Sequence, residues 1–319
     1  MALLDSMNSG PGGEFGYRFE KAPPDRRREA IGVLLTGRPS ATDPAVGAFL
    51  RYCEQQDLGT DELWLAWRDE RPRAAVMLVR CPGRSGMLFL SPASSWPDGE
   101  VVASLVRTAC MAQSPSAVRL IQSLLDPHQA RTRRALKQAG FSELATLVYM
   151  QRPAEPRDAS LRFSDPAVRV HHYSEETREL FEQAILASYE QTRDCPGLLG
   201  LRTIEDIVAG HQASGEFHPE LWHGLTCEGE PVGVMLLSDV PHCDALELVY
   251  LGLAVRYRGQ GIAKRLLEHA ISTAAAWGRS SLMLAVDRAN EPARRLYEEL
   301  GFEATGRKEA LIYVPPETE

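Results

Sequence analysis

Residues Arg256-Tyr257-Arg258-Gly259-Gln260-Gly261-Ile262-Ala263 follow directly on the apolar run Ala245 to Val255 and open an amphipathic segment. That order reads as a strand, a tight turn and a helix start. Gly259 and Gly261, one residue apart, let the backbone turn without Cβ clashes, so that successive amide N–H groups converge on one anion. The helix start behind them adds unpaired donors and a partial positive charge. Such a turn cradles a pyrophosphate, with the backbone from Gly259 through Gln260, Gly261, Ile262 and Ala263 as the cradle and Arg256 and Arg258 as full charges.

The spacing discriminates among phosphate loops. A nucleotide-hydrolase loop ends in Gly-Lys-Ser/Thr, whereas Ile262 and Ala263 follow Gly261. A dinucleotide loop needs a small residue where Lys264 stands, and an acidic ribose ligand about 20 residues downstream; here the carboxylate, Glu247, lies within the preceding strand. What remains, Arg/Gln-x-x-Gly-x-Gly/Ala, resembles the pyrophosphate loop of the GCN5-related N-acetyltransferases (GNAT).

A second segment sharpens the resemblance. Ser281 to Val286 reads as a short buried strand, followed by Asp287 to Phe302, in which Asn290 suits an N-cap, Pro292 an early helical position and Gly301 a left-handed helix end. The family's series of Asn, Ala, Tyr and Gly-Phe follows its loop at about this distance. The resemblance implies acetyl-CoA as cosubstrate, bound through the loop, through Asn290 and Arg294, and through backbone amides at Leu253, Ala254 and Val255, where the family's strand splays from its neighbour. Gly252 eases close approach of a ligand there. The resemblance implies further that Tyr297 protonates the leaving thiolate; the other reading of Tyr297 is an aromatic on the buried helix face. Asn290 reads equally well as a plain helix cap.

Glu247 is the candidate general base. Strict alternation puts Glu247, Val249, Leu251 and Leu253 on one face and Leu248, Tyr250 and Gly252 on the other. A carboxylate among so many apolar residues is costly unless it is paired or faces a cleft, and burial raises its pKa toward useful base strength. The competing reading is an edge carboxylate paired with an arginine. Acceptor recognition falls, by the resemblance, to residues 175–214, where Asp194 beside Cys195-Pro196-Gly197 is placed for a turn that aims it into the cleft.

A chain of 319 residues exceeds one such fold. Setting Gly140-Phe141 against Gly301-Phe302 gives a constant offset of 161, which pairs Arg134 with Arg295 and the segment 129–139 with the helix of Tyr297. The resemblance then implies an α/β (α+β) chain of two tandem GNAT-like domains, each a mixed, mostly antiparallel central sheet flanked by helices, an arrangement similar to that of the mycothiol synthases. Expected boundaries are a flexible start at 1–16, a degenerate domain at 17–152, a proline-punctuated linker at 153–166 and a catalytic domain at 167–319. In the first domain Leu136 replaces Tyr297, and Ser95, Asp98 and Glu100 stand for Arg256, Gly259 and Gly261, an acidic turn that repels a pyrophosphate.

A net charge of -8 argues against nucleic acid as a partner. No apolar run reaches membrane-spanning length and Met1 to Asp5 lacks a signal-peptide start, so a cytoplasmic protein without a membrane partner is expected. Six scattered cysteines with no Cys-x-x-Cys pair fit free thiols, and the histidines lack metal-ligand spacing, so no metal is expected. A domain pair within one chain suits a monomer or weak homodimer. Two functions follow: N-acetyl transfer from acetyl-CoA to a small-molecule or peptide amine, or, with turnover lost, a noncatalytic acyl-CoA-binding regulator.

Overall fold

The computed structural model describes residues 14–55, 58–160, 163, 165 and 167–316, so most of the expected flexible start and part of the expected linker lie outside the described residues. The chain divides into two compact units, Met1–Glu143 with Ala310–Glu319, and Leu144–Glu309.

The first unit runs β1 (Arg18–Lys21), α1 (Arg27–Thr36), α2 (Pro44–Gln55), β2 (Leu63–Arg68), β3 (Arg71–Cys81), β4 (Ser85–Leu90), α3 (Gly99–Met111), β5 (Leu120–Leu125), α4 (Ala130–Gln138) and the start of β6 (Ser142–Pro153). The second repeats that order with β7 (Arg169–His172), α5 (Arg178–Tyr189), α6 (Ile204–Gln212), β8 (Trp222–Cys227), β9 (Glu230–Val240), β10 (Ala245–Leu253), α7 (Ile262–Ala276), β11 (Ser281–Asp287), α8 (Glu291–Glu299) and the start of β12 (Glu303–Tyr313). Helices α4 and α8 coincide under the offset read from the sequence, as do the starts of β6 and β12. Tandem repetition is thus built into the fold. The units do not divide at the expected linker, because β6 from Leu147 to Pro153 is laddered antiparallel on β11 and so belongs to the second unit. Part of that linker is itself tied down: Asp158 accepts from both outer nitrogens of Arg152 and from the Glu155 N–H.

In the second unit β7, β8, β9 and β10 form an antiparallel run, and β11 then adds parallel to β10. Helix α7 buries Ile262, Leu266, Leu267, Ala270, Ile271 and Ala274, a 3–4 residue spacing that lays one apolar stripe on the sheet. Leu246, Leu248 and Leu253 of β10 share that cluster. Each buried leucine there contributes roughly 1.5–3 kcal/mol. A one-residue slip would exchange Leu246 and Leu248 for Ala245 and Glu247, which pins the register.

Two departures from regular pairing shape the second unit. Against β9, Leu248 faces Leu237 and Tyr250 faces Leu236, which leaves Val249 as a bulge. Against β11, pairing runs from Ala245–Ser281 to Leu248–Leu284 and then stops, while both strands continue. The bulge overturns the expected alternation. Val249 and Tyr250 both pack in the cluster beneath α5, whereas Leu251 and Leu253 pack with α7, on the face opposite to the one assigned from the sequence.

No helix among the described residues is long and apolar enough to cross a membrane. The approach of β9 to β10 depends on one glycine: a Cβ on Gly233 would lie 2.2 Å from the Gly252 carbonyl oxygen, a backbone atom that cannot swing aside. Gly233→Ala is therefore expected to lower unfolding stability by about 1–3 kcal/mol, read as a shift of the urea midpoint at unchanged slope.

Candidate active site

Where β10 and β11 part, a cleft of about 410 Å³ opens, lined by Ser188 of α5 and Gln191, Thr192, Arg193 and Asp194 after it, by Tyr250 to Leu253 of the splayed strand and Val255 beyond it, by Arg258, and by Asn290 and Pro292 at the start of α8. The parting of these strands is the feature the resemblance implies, and the pairing of β10 with β11 stops at Leu248–Leu284.

The glycine loop stands beside it. Gly259 and Gly261 have φ of +74° and +78°, the left-handed region that glycine enters without strain. Gly261 is the N-cap of α7 and no side chain caps it, so the first amides of the helix remain outward-facing donors. Ile262 is buried and Ala263 half-buried, so these two offer backbone, not side chains, to a ligand. Gln260 closes the turn by donating from Nε2 to the Arg256 carbonyl at 2.7 Å. Arg256 is exposed, rests over the Tyr257 ring and lies 3.9 Å from Glu230.

Arg258 has a different occupation from the expected phosphate contact. Its Nε donates to the Leu253 carbonyl at 2.9 Å, and its outer nitrogens donate to the carbonyls of Ser188, Glu190 and Gln191 at 2.9, 2.8 and 3.3 Å. It thus clamps the carbonyl end of α5 to the end of β10, a place where a cation also suits the helix dipole. Among the three amides expected to hold the coenzyme arm, that of Ala254 is already donated to Val232 at 2.8 Å, while Leu253 and Val255 line the cleft.

Glu247 lies on an inner strand between Ser238 and Met283, not at an edge, and makes no ion pair among the described residues. Burial pushes its carboxyl above the ordinary range. It is three residues below Tyr250 and outside the cleft lining. Tyr297 is buried in the α7-side core against Phe302, with burial pushing its phenol up, and it sits deeper than the cleft wall that α8 builds from Asn290 and Pro292. Asn290 caps α8, its side chain accepting from the Ala293 N–H. Arg294, expected among the coenzyme contacts, lines a second groove instead.

Two further cleft residues stand out. Asp194 accepts the Asp287 N–H at 2.9 Å, the last residue of β11, and Cys195 N–H donates back to Asp287 Oδ2 at 3.3 Å. Burial raises the Asp194 pKa, with the neighbouring Asp287 charge adding to the rise and the bond from the Asp287 N–H opposing it. Tyr250 bonds the Ser188 hydroxyl at 2.7 Å and stacks on His211, whose imidazole burial holds neutral at a pKa of about 4. Tyr250 reaches the cleft through the Val249 bulge, and a bulge carries no sequence signal. Among the described residues Glu216, His218 and Asp239 form the one group with metal-ligand proximity, and both Asp239 oxygens accept from Arg279 while one also takes the Trp277 N–H.

The clamp is testable apart from any activity. Arg258→Met removes a cation from four carbonyls and is expected to cost about 2 kcal/mol or more of stability, with faster amide hydrogen exchange concentrated in residues 188–194.

A family model described as the acetyltransferase (GNAT) family matches residues 178–302. The peptidyl-lysine N-acetyltransferase YjaB of Salmonella typhimurium is 42% identical over 108 residues, 33% of this chain and 63% of YjaB, so the chain spans less than two thirds of that relative. An uncharacterized N-acetyltransferase of Mycobacterium bovis is 35% identical over 133 residues, 40% of this chain and 85% of that protein. Among solved structures, a GCN5-related N-acetyltransferase from Sphaerobacter thermophilus aligns over 94% of this chain and 97% of its own with a TM-score of 0.60 at 18% identity, a likeness of fold that extends over both units. With the loop, the splay and the Asn-to-Phe series all in one unit, the chain belongs to the GCN5-related N-acetyltransferase family.

Proposed function

We propose that the second unit transfers an acetyl group from acetyl-CoA to a primary amine by direct attack on the thioester. The observation that carries this reading is the uncapped start of α7 behind two left-handed glycines, set next to the gap between β10 and β11. Acetyl-CoA supplies the activated acyl group. The loop amides and Arg256 take its pyrophosphate, and Leu253 and Val255 line the path of its arm. The amine nitrogen forms a bond to the carbonyl carbon, the carbon–sulfur bond breaks, the ammonium loses its proton and the thiolate gains one.

Asp194 meets the incoming ammonium in the cleft, and Glu247 draws its proton through water. Tyr297 serves the thiolate from the core side of α8. A phenol whose pKa is raised by burial remains a neutral donor at working pH. No metal enters this scheme. The first unit does not take part in binding coenzyme A: the start of α3 is already capped by the Asp98 carboxylate, which accepts the Glu100 N–H at 2.9 Å, and an added phosphate would meet both acids.

Calorimetric titration with acetyl-CoA should give one site per chain, abolished in a Gly259→Glu, Gly261→Glu double variant; two sites would bring the first unit into play, and no binding would sink the proposal. For the chemistry, burial raises Glu247, so its base form is reached only above the ordinary carboxylate range and kcat/KM must fall as pH drops through that raised value. Glu247→Gln should lower kcat by roughly 10²-fold or more and erase that acid limb, with acetyl-CoA affinity unchanged. Tyr297→Phe should likewise bind acetyl-CoA normally and lose most turnover, and an unchanged rate would remove Tyr297 from the mechanism.

A further inference from the structure

Next to the cleft, and within the same unit, lies a groove of about 850 Å³ that shares Thr192 and Arg193 with it. Its walls come from the start of the second unit in β6 (Leu144 to Thr146), from the end of β11 and the turn into α8, and from β12. Four of its lining residues are arginines: Arg193, Arg288, Arg294 and Arg307.

Three of the four, Arg193, Arg288 and Arg307, carry a charge that no carboxylate answers among the described residues. Arg294 touches Glu298 at 3.4 Å and the Arg288 carbonyl at 3.3 Å, and its buried Nε has no partner there. The two acids in the groove are engaged elsewhere: Asp287 accepts from the Ala289 and Cys195 amides, and Glu291 pairs with Arg295. In a chain of net charge -8, four guanidiniums around one groove are a concentrated positive field. Arginine presents paired donors in a planar fork suited to carboxylate or phosphate. On the cleft side of the shared wall stands the opposite charge, Asp194.

Resting on the acetyltransferase reading, the geometry points to an acceptor that is an amine bearing an anionic group: its ammonium is received at Asp194 and its carboxylate or phosphate by Arg193, Arg288, Arg294 and Arg307. The groove selects the acceptor by the anion, and the cleft orients the nitrogen for attack. Neutral amines and diamines lack the second anchor and are discriminated against.

The test uses matched amines, with and without an anion, on the full chain: O-phosphoethanolamine against ethanolamine, and lysine and glycyl-lysine against cadaverine. Each is titrated calorimetrically in the presence of a non-transferring acetyl-CoA analogue and assayed by thiol release with acetyl-CoA. The anionic member of a pair is expected to bind and react at least ten-fold better, and phosphate versus carboxylate is decided by which pair shows the larger ratio. Arg307→Gln, which breaks no hydrogen bond among the described residues, should weaken the anionic acceptor by roughly ten-fold and leave neutral amines and acetyl-CoA unaffected. Equal affinity within every pair overturns the proposal. So does a loss of acetyl-CoA affinity in the Arg307 variant that matches the loss for the acceptor, which would give the groove to the coenzyme's own phosphate. Failure of the wild-type chain to bind acetyl-CoA is a separate result, and it strikes the acetyltransferase reading.

Discussion

The parting of β10 from β11 after Leu248 is the constraint on which the second unit is organised. A continuous parallel ladder would have satisfied more backbone groups, yet it would have left no space between the strands. The chain resolves the loss with particular substitutes. Asp194 supplies an acceptor for the Asp287 N–H, Ala254 turns to Val232, and Arg258 gathers the carbonyls left at the ends of β10 and α5. Asp194 reaches β11 from 93 residues away and Arg258 reaches Ser188 from 70, so the opening and the segment 188–194 form as one piece of structure.

Electrostatics then divides the second unit into zones. The start of α7 is a donor array without a cap, Asp194 in the cleft is a carboxylate whose pKa burial raises, and the groove beyond holds Arg193, Arg288 and Arg307 without a carboxylate partner among the described residues. A positive zone, a negative zone and a second positive zone follow one another along the path from the glycine loop to the groove. This succession suits the proposed acceptor, an amine with the coenzyme's pyrophosphate on one side and its own anionic group on the other, and it is independent of the chain's overall negative charge.

Much of this was legible in the sequence, and for identifiable reasons. The glycine loop and the segment from Asn290 to Phe302 are local: turn chemistry, a cap and a left-handed stop lie within a few residues of one another, and the structure has each where the spacing puts it. The tandem repeat was readable because α4 and α8 kept the same length and offset. What escaped was non-local. The bulge at Val249 has no residue signature, so alternation misassigned Leu251 and Leu253 and hid Tyr250 from the cleft. Arg258 looked like a phosphate ligand because its carbonyl partners lie some seventy residues upstream. The unit boundary was missed because a proline-rich stretch resembles a linker whether or not its flanking strand is laddered into the next sheet.

The contrast between the two helix starts has a thermodynamic consequence. Helix α3 carries its own anion in Asp98, whereas α7 begins at Gly261 with nothing of its own to receive the first amides. A helix start that carries its own cap leaves no vacant position there for a solute to stabilise. A unit that leaves the position to a solute has a stability that rises with the logarithm of that solute's concentration. On the proposed reading, the duplicated fold joins a half whose α3 start carries its own cap to a half whose stability rises with the concentration of the solute that occupies the α7 start.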